Sequence, residues 1–309
     1  MSAATFQVGQ LTIPLFVGTV MNWALLGTLA VQVYLYFLAF PKDRLILKLL
    51  VAFVVVAEFL QTLGDSHDTI RVFGAGWGDF ELLDEVGWAW FSVPILGSLI
   101  ASVGQIFFAW RIYIIGDKTL FLPSAIALVT AVQQGAGIWS GVQICEAGRF
   151  SRLDFSTLRT PVVWLAATAL SDLMIVAGTV FYVLKARQPG FRHTRAILSR
   201  IIKVTVETGL LCALFAIVDL ALYVKYDGNN YHLGTCIWLS KVYSNSILVI
   251  LNSRAHIGHG APASEPKSLG GMTEIVFQSH SGPPSGVHVS TKASTVVQSP
   301  DKPYLQMTV

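Results

Sequence analysis

Charge is scarce in this sequence. Asp, Glu, Lys and Arg together make up 13% of its 309 residues, against roughly 25% in a soluble domain. About half of the expected solvated surface is therefore missing, and the deficit is concentrated ahead of the last sixty or so residues. A net charge of +3 is too mild to point to nucleic acid, which asks for a strongly basic patch. Three cysteines are too few for a disulfide scaffold. No Asn-x-Ser/Thr sequon occurs, so glycosylation leaves no topological marker. No basic residue precedes Lys42, and a cleavable signal would need a basic stretch ahead of a short apolar one. The first apolar run, 11–40, is instead expected to remain as a span.

What the sequence has in abundance is apolar length. It is 53% hydrophobic with a mean hydropathy of +0.61. Seven runs, near 11–40, 45–63, 91–115, 121–145, 161–184, 201–224 and 231–251, are bounded by charge or turn residues. Each reaches the roughly 18 residues that mark a membrane span. Backbone amides cannot stay unpaired in lipid, so runs this short and apolar should be helices. The predicted class is all-α: a polytopic seven-transmembrane-helix bundle over residues 1–254. Residues 255–309 turn to Ser, Gly, Pro, His and Thr and read as a disordered tail. Its short apolar islands (Glu274–Phe277, Val287–Val289) and its terminal Met307-Thr308-Val309 are weak docking signals.

Seven spans put the two ends on opposite sides. Twelve Lys or Arg fall in 41–48, 111–118, 185–203 and at Arg254, against five at Arg71, Arg149, Arg152, Arg159 and Lys225. The positive-inside rule then predicts the N-terminus outside and the C-terminus cytoplasmic. The basic stretch Lys185 to Lys203, with the tail, is the candidate contact for anionic lipid or a cytoplasmic partner. The opposite loop, Gly64 to Trp90, carries six acids and is expected to be solvated, with a short interfacial helix over Phe80–Val86.

Ionisable residues inside spans cost about 2.5–3.5 kcal/mol each on insertion scales, so each needs a partner or a wet cavity. Glu58, Asp172, Glu207, Asp219 and Lys241 stand out. At 1.5 Å per residue, Lys241, Asp172 and Glu58 fall at similar depth, and Asp172 or Glu58 is the predicted partner of Lys241. Lys241, Asn245 and Asn252 share one face of the last span, with Ser244 beside them. Such a stripe either glues helices together, at ~0.6 kcal/mol per hydrogen bond, or lines a ligand or ion pocket; the former is the favoured reading. Gly137-x-x-x-Gly141 fits close helix packing, within the bundle or between copies. Arg111, at a span end, is expected to snorkel to headgroups. Cys145 and Cys236 both lie toward outer ends; a bridge and two free thiols are both open.

Four motifs carry a family resemblance: Phe40-Pro41-Lys42-Asp43-Arg44 leading into Lys48-Leu49-Leu50-Val51-Ala52-Phe53; Phe107-Phe108-Ala109-Trp110-Arg111-Ile112-Tyr113; Thr205 with Glu207-Thr208-Gly209-Leu210-Leu211; and Leu239-Ser240-Lys241-Val242-Tyr243-Ser244-Asn245-Ser246 through Leu251-Asn252-Ser253-Arg254. In that order, over about residues 10–255, they resemble a fungal, mainly basidiomycete, family of seven-helix membrane proteins catalogued as a domain of unknown function. The resemblance implies the span count and a plasma- or endomembrane location. It implies no activity. Glu207 departs from the family, which commonly has an uncharged polar residue there.

Function classes separate by what is absent. A receptor-like sensor of a small or lipid ligand suits the topology, the basic inner loop and the Ser/Thr-rich tail. Yet no Asp-Arg-Tyr ends the third span and no Asn-Pro-x-x-Tyr closes the seventh. A transporter or channel could run through Lys241 and the acids, although no span has the central Gly/Pro break common in coupled transporters. A metal hydrolase is disfavoured because no span carries two histidines, and no catalytic motif or cofactor is indicated. A retinal protein would need a third-span carboxylate, and 91–115 has no acid.

Overall fold

The helices cover the apolar runs, the first and sixth long ones starting earlier than expected, at Ala3 and Arg192, and one further exception is informative. The computed structural model describes residues 3–116, 118–149, 152, 159–186, 192–225 and 231–255. Its helices are α1 (Ala3–Ala39), α2 (Leu45–Ile70), the short α3 (Phe80–Asp84), α4 (Gly97–Ile115), α5 (Phe121–Ala147), α6 (Arg159–Ala186), α7 (Arg192–Lys225) and α8 (Leu233–Asn252). Seven are long and apolar enough to cross a bilayer, with spans at 12–39, 45–75, 91–115, 121–147, 159–182, 203–225 and 233–252. The protein is thus an all-α, seven-helix integral membrane protein. Residues 256–309, including the expected tail, lie outside the described residues, as does 187–191 of the basic loop.

The exception is α2. A stop at Gly64 was expected; the helix runs on to Ile70 and ends in a π-helical turn, Arg71–Ala75. A glycine inside a helix costs only about 1 kcal/mol, and here the residues beyond it are buried. Asp65 and Asp68, expected in a solvated loop, face the interior. Asp65 accepts from Asn22 Nδ2 at 3.3 Å, and both Asp68 oxygens accept from the Trp88 backbone N–H at 2.7 and 3.0 Å. The short helix α3 forms within the predicted Phe80–Val86, N-capped by Asp79, whose Oδ1 accepts from the Glu81 N–H at 2.9 Å. Arg71 ties this loop to the bundle through Glu85, at 2.7 Å.

A second π-helical turn, Phe91–Leu96, opens the third span around Pro94. Proline has no N–H and crowds the carbonyl one turn back, so the turn widens. The Ser92 carbonyl, which receives the Gly97 N–H, is left accessible to a second donor.

α8 sits at the centre, its side chains buried from Leu233 to Leu251 with few gaps. α1 lies along it at close range: a Cβ on Gly18 would come 3.0 Å from the Leu233 carbonyl oxygen. The outer faces of α1, α2, α5 and α7 carry the exposed apolar side chains, among them Phe16, Tyr34, Leu49, Phe59, Leu128 and Leu214. That is the arrangement required of a body solvated by lipid.

The two ends of the bundle differ. The basic end holds residues 40–44, 116, 118–120 and 253–255; the acidic end holds α3, 76–90 and 148–149. Toward the basic end the interior is a continuous apolar cluster built on Val51, Val54, Phe108, Ile112, Ile247 and Leu248. Toward the middle and the acidic end the apolar clusters shrink and polar side chains take over.

Candidate functional site

The buried stripe of α2 reads Leu47, Val51, Val54, Ala57, Glu58, Gln61, Thr62, Asp65, Asp68. Steps of three and four keep all of these on one helix face. The stripe is apolar up to Ala57 and polar from Glu58 on, so α2 itself carries the boundary between the dry half and the polar half.

Opposite Glu58 stands Lys241 of α8, and both side chains have 0% exposure. Lys241 Nζ donates to Glu58 Oε2 at 2.7 Å and lies 3.4 Å from Gln61 Oε1. Ser244 donates to Glu58 Oε1. Ser240 donates to Gln61 Oε1 at 2.6 Å. Gln61 Nε2 in turn donates to the Ser92 carbonyl in the π-helical turn, at 3.1 Å. Each Glu58 oxygen therefore has a donor, and the opposite charges are in contact. Only such full satisfaction makes a buried pair tolerable. Of the two predicted partners for Lys241, Glu58 is the one in contact.

Asp172 of α6 belongs to a second cluster on another face of α8. Tyr243 OH donates to its Oδ2 and Gln105 Nε2 donates to its Oδ1 at 3.0 Å. Thr130 Oγ1 donates to Gln105 Oε1 at 3.2 Å and lies 3.2 Å from Ser171 Oγ. These donors to Asp172 are neutral. Ser240, Lys241, Tyr243 and Ser244 thus let one stretch of α8 hold α2 on one side and α6 on another.

Asn245 and Asn252 stand apart from the Lys241 ammonium, although Asn245 Nδ2 donates to the Lys241 carbonyl one turn back at 2.7 Å. Gln32 Nε2 donates to Asn245 Oδ1 at 3.0 Å, Asn245 Nδ2 reaches the Leu25 carbonyl at 3.2 Å, and Asn252 Nδ2 the Gln32 carbonyl at 2.9 Å. They form a seam between α1 and α8, the helix-gluing role. Asp219 is buried apart from the centre, where Thr235 Oγ1 donates to it at 2.8 Å.

Glu207 does not join the network: its side chain is 61% exposed and lies 3.7 Å from Lys203, one turn back. The sequence put it inside because it follows an apolar run; the helix phase turns it out. A bridge between Cys145 and Cys236 is likewise not formed. Cys145 is exposed on α5, whereas Cys236 is buried with Trp164 and Leu165. Arg111, expected to reach headgroups, lines a half-open cavity at the basic end. Gly137 and Gly141 pack within the bundle; a Cβ on either would meet Ser98 Oγ or Ile95 Cγ1 at 2.6 Å.

Gln61, Gln105 and Tyr243 complete these clusters, although none is among the site residues expected from the sequence. Gln61 lies one turn from Glu58, which is itself a signal of a shared partner. Among the described residues no cluster of three His, Cys, Asp or Glu could hold a metal ion.

At the basic end the chain closes on itself through Asp43, which follows α1. Arg254 Nη2 donates to Asp43 Oδ2 at 2.6 Å, Tyr36 OH donates to the same oxygen at 2.9 Å, and the guanidinium lies 4.5 Å over the Phe40 ring. The Arg254 hydrogen bond pulls the Asp43 pKa down to about 2.

Residues 168–256 match a family of unknown function (DUF6534). Neither a curated protein nor a solved structure matches the chain. The DUF6534 segment spans most of α6, all of α7 and all of α8, so it contains Asp172, Lys241, Tyr243 and Arg254. Glu58 and Asp43, which neutralise Lys241 and Arg254, lie outside it.

Proposed function

We propose that this protein is a receptor-like sensor of a small or lipid ligand in a plasma or endomembrane, with its N-terminus outside and its basic end in the cytoplasm. The observation that supports this reading is that α8 carries Lys241 in the polar centre and leads, about 20 Å further along, to Arg254 of the basic-end closure. A ligand or protonation event that favoured one arrangement of the Glu58–Lys241 pair would shift α8, and the Asp43–Arg254 contact would read the shift. The centre is filled by its own side chains, so a ligand acts by rearranging them and not by entering a vacant site.

A transporter or channel is the second reading. What favours it is Asp172, a deeply buried carboxylate held by neutral donors, the kind of group that serves in proton relays.

One pair of measurements separates the two. Wild type and the Glu58→Gln/Lys241→Met double variant are purified and screened by thermal unfolding against small molecules, lipids and pH; vesicles containing each are assayed for proton flux. A sensor gives a ligand-specific stabilisation of wild type that the folded double variant loses, with no flux. Flux abolished by Asp172→Asn would replace the sensor with a transporter, and a folded double variant that keeps every response would remove the polar centre from the function.

A further inference from the structure

A cavity of about 220 Å³ opens at the basic end between the start of α2 and the ends of α4 and α8. Leu47, Phe107, Ile114, Ile250 and Leu251 supply apolar wall, and two guanidinium groups, Arg111 and Arg254, complete the lining. No acid is among the lining residues. Arg254 is engaged by Asp43. Arg111 is not: its Nη1 is buried without a hydrogen-bond partner among the described residues. A buried guanidinium nitrogen with nothing to donate to is costly, and two like charges on one cavity add to that cost.

We infer that this cavity binds an anionic phospholipid, its phosphate between Arg111 and Arg254 and the start of an acyl chain against the apolar wall. Charge complementarity identifies the occupant: arginine's planar fork matches phosphate oxygens. Size limits it, since about 150 Å³ already accommodates a benzene ring, so 220 Å³ takes a chain segment and not a whole lipid. Position agrees, because basic pockets between helix ends are where anionic headgroups of the cytoplasmic leaflet are recognised. The site rests on the proposed orientation, which puts this end at the cytoplasmic leaflet, but not on signalling, as it uses neither Lys241 nor Glu58.

The test uses the full chain purified in neutral detergent, titrated with short-chain phosphatidylserine, short-chain phosphatidylcholine and glycerophosphoserine, with thermal shift and native mass spectrometry as readouts. Phosphatidylserine is expected to bind about tenfold more tightly than phosphatidylcholine: both carry the phosphate, but only phosphatidylserine keeps a net negative charge beside the guanidinium groups, which the fixed ammonium of choline offsets. Arg111→Gln should bring the two lipids to parity, and Arg111→Lys should keep most of the preference. The wild-type comparison needs no variant. Ile114→Trp, at a half-exposed position, narrows the cavity and should weaken phosphatidylserine without touching either arginine. Equal binding of the two lipids by wild type, or a preference that survives in folded Arg111→Gln, overturns the site. Glycerophosphoserine binding as tightly as the lipid overturns the role of the apolar wall and leaves a soluble-anion site.

Discussion

The two halves of the bundle solve the same packing problem by different means. Toward the basic end, α2 and α8 meet through Val51, Val54, Ile247 and Leu248, where shape alone holds the helices. Toward the acidic end the same two helices meet through Glu58, Gln61, Ser240, Lys241 and Ser244, where every contact has a direction and a partner. Lipid is as apolar as leucine, so an apolar seam gains only dispersion and fit when helices associate in a membrane. A hydrogen-bonded seam specifies register, because a helix shifted by one residue leaves charges unpaired. The dry half supplies contact area, and the polar half decides which helix faces which.

Breaking the charge pair should have the largest effect on this contrast. Lys241→Met strands Glu58, and Glu58→Gln strands Lys241; each single variant is expected to lose about 3–5 kcal/mol of stability. The double variant should unfold at a clearly higher temperature than either single one. If the two single losses simply add in the double, the ion pair is not the interaction that matters.

In the dry half, Leu248→Ala opens a cavity worth about 2–5 kcal/mol, and no second substitution in the polar half should rescue it. Melting of Leu248→Ala combined with Glu58→Gln/Lys241→Met checks this. Additive losses keep the halves separate, and strong coupling would merge them.

The smallest effect belongs to the basic-end closure. The Asp43 pKa is depressed to about 2 from an unfolded value of roughly 3.9. A depressed acid contributes stability above its unfolded pKa and loses it as pH falls through the folded one. Wild type should therefore lose melting temperature between about pH 4 and about pH 2. Asp43→Asn should start lower and lose less across that window. Parallel curves for the two proteins would sink the assignment.

Much of this architecture was legible in advance, for physical reasons. A span must be long and apolar, so 91–115 and 121–145 are nearly the helices observed. Depth follows from a constant rise, which brought Lys241 and Glu58 to one level before any contact was known. Helix phase was less legible: Glu207 and Asp172 both interrupt apolar runs, yet one faces out and one in. The extension of α2 past Gly64 was hidden because Asp65 and Asp68 find their donors on α1 and on the Trp88 backbone, contacts that no local pattern announces. Asp172 could not be told from Glu58 as the partner of Lys241, since equal depth does not fix which helices are neighbours.

The two glycines of α5 bear on assembly. Gly137 and Gly141 face the turn around Pro94 so closely that even a methyl group would collide with it. The motif is therefore already occupied within a single chain and is not free to dock a second copy. Should this protein form dimers, their stoichiometry would be indifferent to these positions, and changing either glycine to alanine would act on folding, before any subunit could meet another.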